Sequence, residues 1–359
     1  MTVKQTVMAL AGLMALAACS TTPPPAPHPP TRWQSAARLT PPQRYFKMSD
    51  GAVLPARIWQ APTPPHAMVL ALHGFNDSRD AWEVPAPFFA EHGMTLVAPD
   101  QRGFGQAPQR GDWVGTKRMV ADIKELIAQL HRENPDVPLY TVGESMGGAL
   151  LMVMMSQPDA PQTAGTIVLA PAVWDVGLGA RIPLELMKSI APYALVPERS
   201  VPVHVVATDN MAALIRLYYD PLTLHATRWK ALDGLVSLMK EAAASTPFVR
   251  GPVLCVYGDK DQLVPASAMA KVWQTMRQIH LNVRQDLITG GHHLLLRDKQ
   301  GALVMQDMVS WILAPKTWLP SGGDSAAGVW FSQQEGRLGI GKSGGLPLLS
   351  AGLESLVKE

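Results

Sequence analysis

Residues 139–155, L-Y-T-V-G-E-S-M-G-G-A-L-L-M-V-M-M, constrain the fold of this chain more than any other stretch. The run 139–142 is apolar and rich in β-formers, and an apolar run of helical length follows Gly147 and Gly148 directly. Between the two, Gly143-Glu144-Ser145-Met146-Gly147 predicts a very sharp turn with a serine at its tip. Glycine on both sides is a steric need, because a Cβ at either place would collide with the neighbouring strand or helix. Ser145 then stands exposed at a helix N-terminus, where backbone N–H groups and the helix dipole favour a developing negative charge.

The flanking chain has the rhythm such a turn needs. Residues 44–48 and 52–59, separated by Ser49-Asp50-Gly51, read as a hairpin. Residues 68–72 form a continuous apolar run, as in a strand buried on both faces, and 95–98, 166–170, 253–257 and 283–288 are further strands. Helical patterns lie at 80–92, 118–132, 267–279 and 303–313; in the second, Val120, Ile123, Ile127 and Leu130 mark one face. Strands alternating with helices predict an α/β fold with a mostly parallel, doubly wound sheet. The rhythm stops at about 172–248. There, helical patches at 184–190, 211–218 and 229–243 are interrupted by prolines 183, 192, 197, 202, 221 and 247. Because the sheet pattern resumes afterwards, this segment reads as a helical cap inserted into one domain spanning 44–314. Its stripes Leu184, Met187, Ile190 and Leu235, Leu238, Met239 have the spacing of core residues. At 47% hydrophobic content, 359 residues suffice to bury such a core. A net charge of +2 with no basic cluster argues against a nucleic-acid partner.

The ends have a different character. Residues 1–18 carry Lys4, an apolar stretch at 7–17 and small residues before position 19, the pattern of a secretory leader. Leu16-Ala17-Ala18-Cys19 resembles the lipobox of bacterial lipoproteins, which implies a lipidated Cys19 and a protein anchored in a membrane of the cell envelope. Ser20 follows with no aspartate, which favours the outer membrane, facing the periplasm. Residues 19–43 begin with a Pro-rich run and read as an extended tether. Residues 315–359, rich in Gly and Ser, read as largely disordered. Cys255 sits in an apolar strand and is expected to be a buried free thiol.

A serine hydroxyl is a weak nucleophile and needs a base, which in turn needs an orienting carboxylate. In nucleophile-elbow architectures these follow in the order serine, acid, histidine, on loops at the carboxyl ends of later strands. Gly258-Asp259-Lys260-Asp261 follows the strand at 253–257, and Gly290-Gly291-His292-His293 follows that at 283–288. Asp261 is the preferred acid, with Asp259 as the alternative. His293 is the preferred base over His292, since the apolar run 294–296 would anchor it. Donors for an oxyanion are expected from the N–H groups of Met146 and of Phe75, which follows the strand at 68–72. His73 reads as a buried residue that braces this turn.

Taken together, H-G-F at 73, D-Q-R-G-F-G at 100, G-E-S-M-G-G at 143, G-D-K-D at 258 and G-G-H-H at 290 resemble the monoacylglycerol lipase and lysophospholipase branch of the α/β-hydrolase superfamily. The likeness covers about 44–313. It implies hydrolysis of a carboxylic ester of a single-chain lipid through an acyl-enzyme on Ser145, with the cap forming the acyl pocket and no cofactor or metal. Asp100, Arg102 and Gly103 match a loop that is structural in that branch. Glu144 departs from it, since many members carry histidine there. Other readings are a general carboxylesterase acting on small soluble esters and a non-catalytic envelope lipoprotein.

Overall fold

Eight short, mostly aliphatic runs pair into one sheet: β1 (Arg44–Lys47), β2 (Val53–Trp59), β3 (Ala67–Leu72), β4 (Met94–Pro99), β5 (Leu139–Glu144), β6 (Gly165–Leu169), β7 (Val253–Gly258) and β8 (Val283–Ile288). Their spatial order is β1-β2-β4-β3-β5-β6-β7-β8. β2 is antiparallel to both β1 and β4, and every other pair is parallel. The computed structural model describes residues 22–197, 205–279 and 282–338, so the leader and Cys19 lie outside the described residues.

The described helices are α1 (Pro85–Glu91), α2 (Thr116–Glu133), α3 (Met146–Ser156), α4 (Gly177–Ile190), α5 (Met211–Tyr219), α6 (Trp229–Ser245), α7 (Ala266–Ile279), α8 (Gly301–Leu313) and α9 (Gly323–Leu338). β3, β4 and β7 are buried along their whole length, as strands covered on both faces must be. On one face Val69 and Ala71 share a core with Phe89 of α1 and Met308 of α8. On the other, Leu70 and Leu72 share a core with Ile127 of α2, Leu150 of α3 and Trp273 of α7. After β3 the chain turns toward β4, and after β5 toward β6 on the opposite side. This reversal leaves a crevice at the carboxyl ends of β3 and β5, the place where such sheets bind ligands.

α4, α5 and α6 are inserted between β6 and β7. α4 begins before the predicted patch and runs through Pro183 instead of stopping there. An interior proline costs about 3 kcal/mol through its missing N–H. Packing of α4 on α6, with Leu184 buried, opposes that cost. Of the predicted stripes, Leu184, Leu238 and Met239 are buried, whereas Ile190 is exposed.

Both ends correct the sequence expectation where they are described. The Pro-rich segment does not stand clear of the domain: a 3-10 turn, Thr31–Ala37, packs on α5, and Ala36 is buried. The last carbonyls of a short helical turn and those of the irregular chain after it have no backbone donors of their own. Two arginines take them, Arg216 Nη1 donating to Ala36 O at 2.9 Å and Arg79 Nη2 to Thr40 O at 3.0 Å.

The tail is likewise ordered as far as α9, which lies on β8 and α7. Ala327, Trp330 and Phe331 are buried, and the Trp330 ring sits 5.5 Å from Tyr257 and 5.1 Å from Trp273. The Gly and Ser content concealed an i, i+3, i+4 apolar triplet, and it is pattern rather than average composition that docks a helix. Residues 339–359 lie outside the described residues.

Docking of α9 encloses Asp286 of β8 so closely that a Cβ at Gly323 would stand 1.7 Å from its Oδ1. Among the described residues neither oxygen of Asp286 accepts from an N–H or a hydroxyl, and its side-chain hydrogen bond is with the carboxyl of Asp307. Burial first, then the charges of Asp307 and Asp324, push its pKa well above the ordinary value of 3.8. The unfolded chain sheds this proton near 3.8 while the folded chain keeps it to higher pH. The associated stability is therefore complete below that value and is lost as pH rises through the folded pKa. Asp286→Asn removes the ionisation at constant shape. Its melting temperature is expected to exceed that of the wild type at pH 8, with the gain vanishing toward pH 4, as read by calorimetry across that range.

Candidate active site

β5 ends at Glu144 and α3 begins at Met146, so Ser145 alone makes the turn, with φ 52° and ψ −110°. For a residue with a Cβ this backbone costs about 1–3 kcal/mol and persists only where its surroundings enforce it. Here they do: Ser145 N donates to Leu169 O at 2.9 Å, and Ser145 O accepts from Ala149 N and Ala172 N, both at 3.0 Å. The glycines are needed for the reason given by the sequence. A Cβ at 143 would lie 2.4 Å from the Gly147 carbonyl carbon, and one at 147 would lie 2.5 Å from Leu72 O.

The loops after β7 and β8 meet. His293 Nδ1 and Asp261 Oδ2 are 2.8 Å apart, with the two side chains 5% and 0% exposed. The second oxygen of Asp261 accepts from Leu263 N at 2.7 Å and Val264 N at 2.9 Å, which holds the carboxylate in place. The alternatives have other partners. Asp259 Oδ1 accepts from Gly290 N at 2.6 Å, and His292 N donates to Asp298 Oδ2 at 2.6 Å. Both brace the turn that carries His293. Ser145 and His293 are not joined by a hydrogen bond among the described residues, a contact that resting sites of this kind often complete only around substrate.

Met146 opens α3, so its N–H is one of the first-turn donors without an intrahelical acceptor. The loop after β3 passes beside the nucleophile: a Cβ on Gly74 would be 3.6 Å from Ser145 Cβ. Phe75 follows, its ring 5.5 Å from Phe104. Asn76, at φ 62°, is pinned to the cap through Nδ2 to Thr227 Oγ1 at 2.7 Å and Leu224 N to Asn76 O at 2.9 Å. His73 is fully buried, and burial lowers its pKa. Its Nε2 accepts from Gln101 N at 3.0 Å, so Nδ1 carries the proton and donates to Gly74 O at 2.8 Å. With both ring nitrogens engaged, His73 braces the loop. Asp100, paired with Arg79, and Arg102, paired with Asp122, are likewise structural.

Two charged partners of the site are not legible in the sequence. Glu144 Oε2 accepts from Arg297 Nη2 at 2.7 Å, and the same nitrogen donates to Asp77 Oδ2 at 2.6 Å. These partners are 153 and 220 residues apart, beyond the reach of any local pattern. Asp209, His292 and Asp298 present ligand atoms within 4.8 Å of one another. The oxygens of Asp298 already accept from Asp209 N and His292 N, which accounts for the cluster without an ion.

Chemically, the arrangement is that of acyl transfer to a hydroxyl: a strained serine at a helix N-terminus and a histidine oriented by a carboxylate.

Comparison with known proteins agrees. The family described as Serine aminopeptidase, S33 (Hydrolase_4) matches residues 63–300. A monoacylglycerol lipase of Mycolicibacterium smegmatis is 25% identical over 266 residues, covering 72% of this chain and 91% of that protein. A monoglyceride lipase of Mus musculus is 22% identical over 270 residues, covering 74% and 88%. Among solved structures, the monoglyceride lipase of Saccharomyces cerevisiae aligns with a TM-score of 0.65 at 17% identity, covering 80% of this chain and 98% of that one. A carboxyl esterase from Bacillus coagulans aligns with a TM-score of 0.63 at 19% identity, covering 75% and 97%. At these identities the two structures speak for the α/β-hydrolase fold.

Proposed function

We propose, for a chain that belongs to the Hydrolase_4 family described as Serine aminopeptidase, S33, that it is a serine hydrolase cleaving carboxylic esters of single-chain lipids. The observation that carries the proposal is the 2.8 Å contact between His293 and Asp261, on loops that follow the elbow strand in the order such chemistry requires. His293, oriented by Asp261, takes the Ser145 proton as Oγ attacks the ester carbonyl. The N–H groups of Met146 and Phe75 receive the oxyanion, and His293 returns the proton to the departing alcohol. Water, activated by the same histidine, then releases the fatty acid from Ser145. The steps use only this chain's groups and water.

The family description names a peptidase, and the same groups would serve an amide. An ester is favoured because relatives found by sequence and by structure are lipases and esterases by name. A lipid substrate is further supported by the outer face of cap helix α4, where Leu178, Ile182 and Leu186 are 76%, 62% and 57% exposed. A contiguous apolar stripe of this kind suits a surface that works against lipid. A panel of monoacylglycerols, lysophospholipids and short p-nitrophenyl esters tests the assignment. The long-chain esters are expected to give the highest kcat/KM; activity confined to the short soluble esters would make the protein a general carboxylesterase.

The location proposed is the cell envelope, with acyl chains on Cys19 holding the protein to the outer membrane on its periplasmic side. Among the described residues no helix is long and apolar enough to cross a membrane. Since the turn Thr31–Ala37 packs on cap helix α5, such an anchor would keep the domain close to the bilayer. Cys19→Ser is expected to move the protein from the membrane to the soluble fraction of fractionated cells. A mutant that stayed fully membrane-bound would remove the anchor from the proposal.

A further inference from the structure

Arg297 stands where three loops of the site converge. Its Nη2 donates at 2.7 Å to Glu144, the residue before the nucleophile, and at 2.6 Å to Asp77, two residues beyond Phe75. Arg297 itself closes the 3-10 turn Leu295–Arg297, four residues after His293. One nitrogen thus ties the nucleophile elbow, the oxyanion loop and the histidine loop together. The side chains of Arg297, Asp77 and Glu144 are 10%, 8% and 3% exposed, so the contacts are little screened by water. Burial opposes the Arg297 charge, and Asp77 and Glu144 more than restore it. Their other atoms hold the same loops: Asp77 Oδ1 accepts from Ser78 N at 2.8 Å, and Arg297 N donates to Leu294 O at 2.9 Å.

A hydrophobic trio of similar volume would stabilise such a place at least as well, because a buried ion pair regains its desolvation cost only in part. Here the cost is visible: Glu144 Oε1 and Arg297 Nε have no hydrogen-bond partner among the described residues. What the ionic arrangement supplies and an apolar one does not is fixed direction. Acyl transfer depends on that, since misplacing a catalytic group by about 1 Å can cost on the order of 100-fold in rate.

We infer that Arg297 is a positioning residue for the proposed reaction, holding His293 in register with Ser145 and the oxyanion donors through Glu144 and Asp77. The inference rests on Ser145 being the nucleophile, and it explains why this chain carries glutamate at position 144: the elbow supplies one of the two carboxylates that the arginine bridges. Because both bonds leave a single nitrogen, a lysine ammonium can replace them in part, whereas methionine cannot.

The test compares full-length wild type with Arg297→Lys, Arg297→Met and Glu144→Gln. The readouts are kcat and KM on p-nitrophenyl butyrate, the rate of Ser145 labelling by a fluorophosphonate probe, and the melting temperature. Arg297→Met and Glu144→Gln are expected to lower kcat and the labelling rate by roughly 10- to 100-fold with KM within about twofold, and Arg297→Lys to recover most of the loss. Glu144→Gln keeps shape and an acceptor oxygen, so it remains informative if Arg297→Met fails to fold. Folded variants that label as fast as wild type would overturn the inference while leaving the nucleophile assignment intact. A wild type inert to the probe and to every ester would overturn both.

Discussion

Ser145→Ala is expected to abolish covalent labelling by a fluorophosphonate probe and to lower ester hydrolysis by on the order of 10⁴-fold or more. The size of the effect follows from the architecture. Ser145 is placed in a strained turn, at φ 52°, by three backbone hydrogen bonds and by two glycines that admit no Cβ. Alanine keeps the Cβ and the backbone contacts, so the variant should melt within about 1 kcal/mol of the wild type. Activity, not folding, is therefore the quantity that moves. Robust labelling of the alanine variant would mean that the nucleophile lies elsewhere, and the proposed mechanism would fall with it.

The second large effect separates the two aspartates of one loop. Asp261→Asn is expected to reduce kcat by about 10³- to 10⁴-fold, because an amide in that place favours the wrong imidazole tautomer and no longer stabilises the imidazolium. Asp259→Asn should cost far less, within roughly tenfold, since the hydrogen bond of the Asp259 side chain is to the backbone N–H of Gly290 and not to His293. Steady-state kinetics on one soluble ester, run on both variants side by side, is sufficient. Equal losses at the two positions would show that the loop acts as a structural unit and that the 2.8 Å contact between His293 and Asp261 has no special part in the chemistry. Asp261 also accepts two backbone N–H groups, from Leu263 and Val264, so part of its loss will appear as a lower melting temperature. Normalising activity to folded protein removes that part.

The two ends of the chain depart from the expectation of an extended tether and a disordered tail for a common reason. Composition averages over positions, whereas docking depends on which positions recur. The tail has abundant Gly and Ser, but its Ala327, Trp330 and Phe331 share a helical face and reach Tyr257 and Trp273. The Pro-rich segment buries Ala36 against α5, and two of its carbonyls are acceptors that Arg216 and Arg79 fill. Neither arginine is near it in sequence, so no window along the chain contains both halves of the contact.

The elbow shows where the sequence is decisive. Strand, turn and helix around Ser145 are set by neighbours within a few residues: β-formers before, glycines at the steric limits, an apolar helix after. Period and spacing in the same short range predict the parallel sheet, and the loops for acid and base then follow from where nucleophile-elbow architectures carry those groups. The sequence already prefers Asp261 to Asp259 and His293 to His292; what only the structure decides is the 2.8 Å contact that joins the preferred pair. That contact depends on the register of β7 against β8 and on the direction of side chains on facing loops, 32 residues apart. The bridge of Arg297 to Glu144 and Asp77 belongs wholly to the tertiary level, because a charge contact across three loops exists only once the sheet has brought their carboxyl ends to one edge.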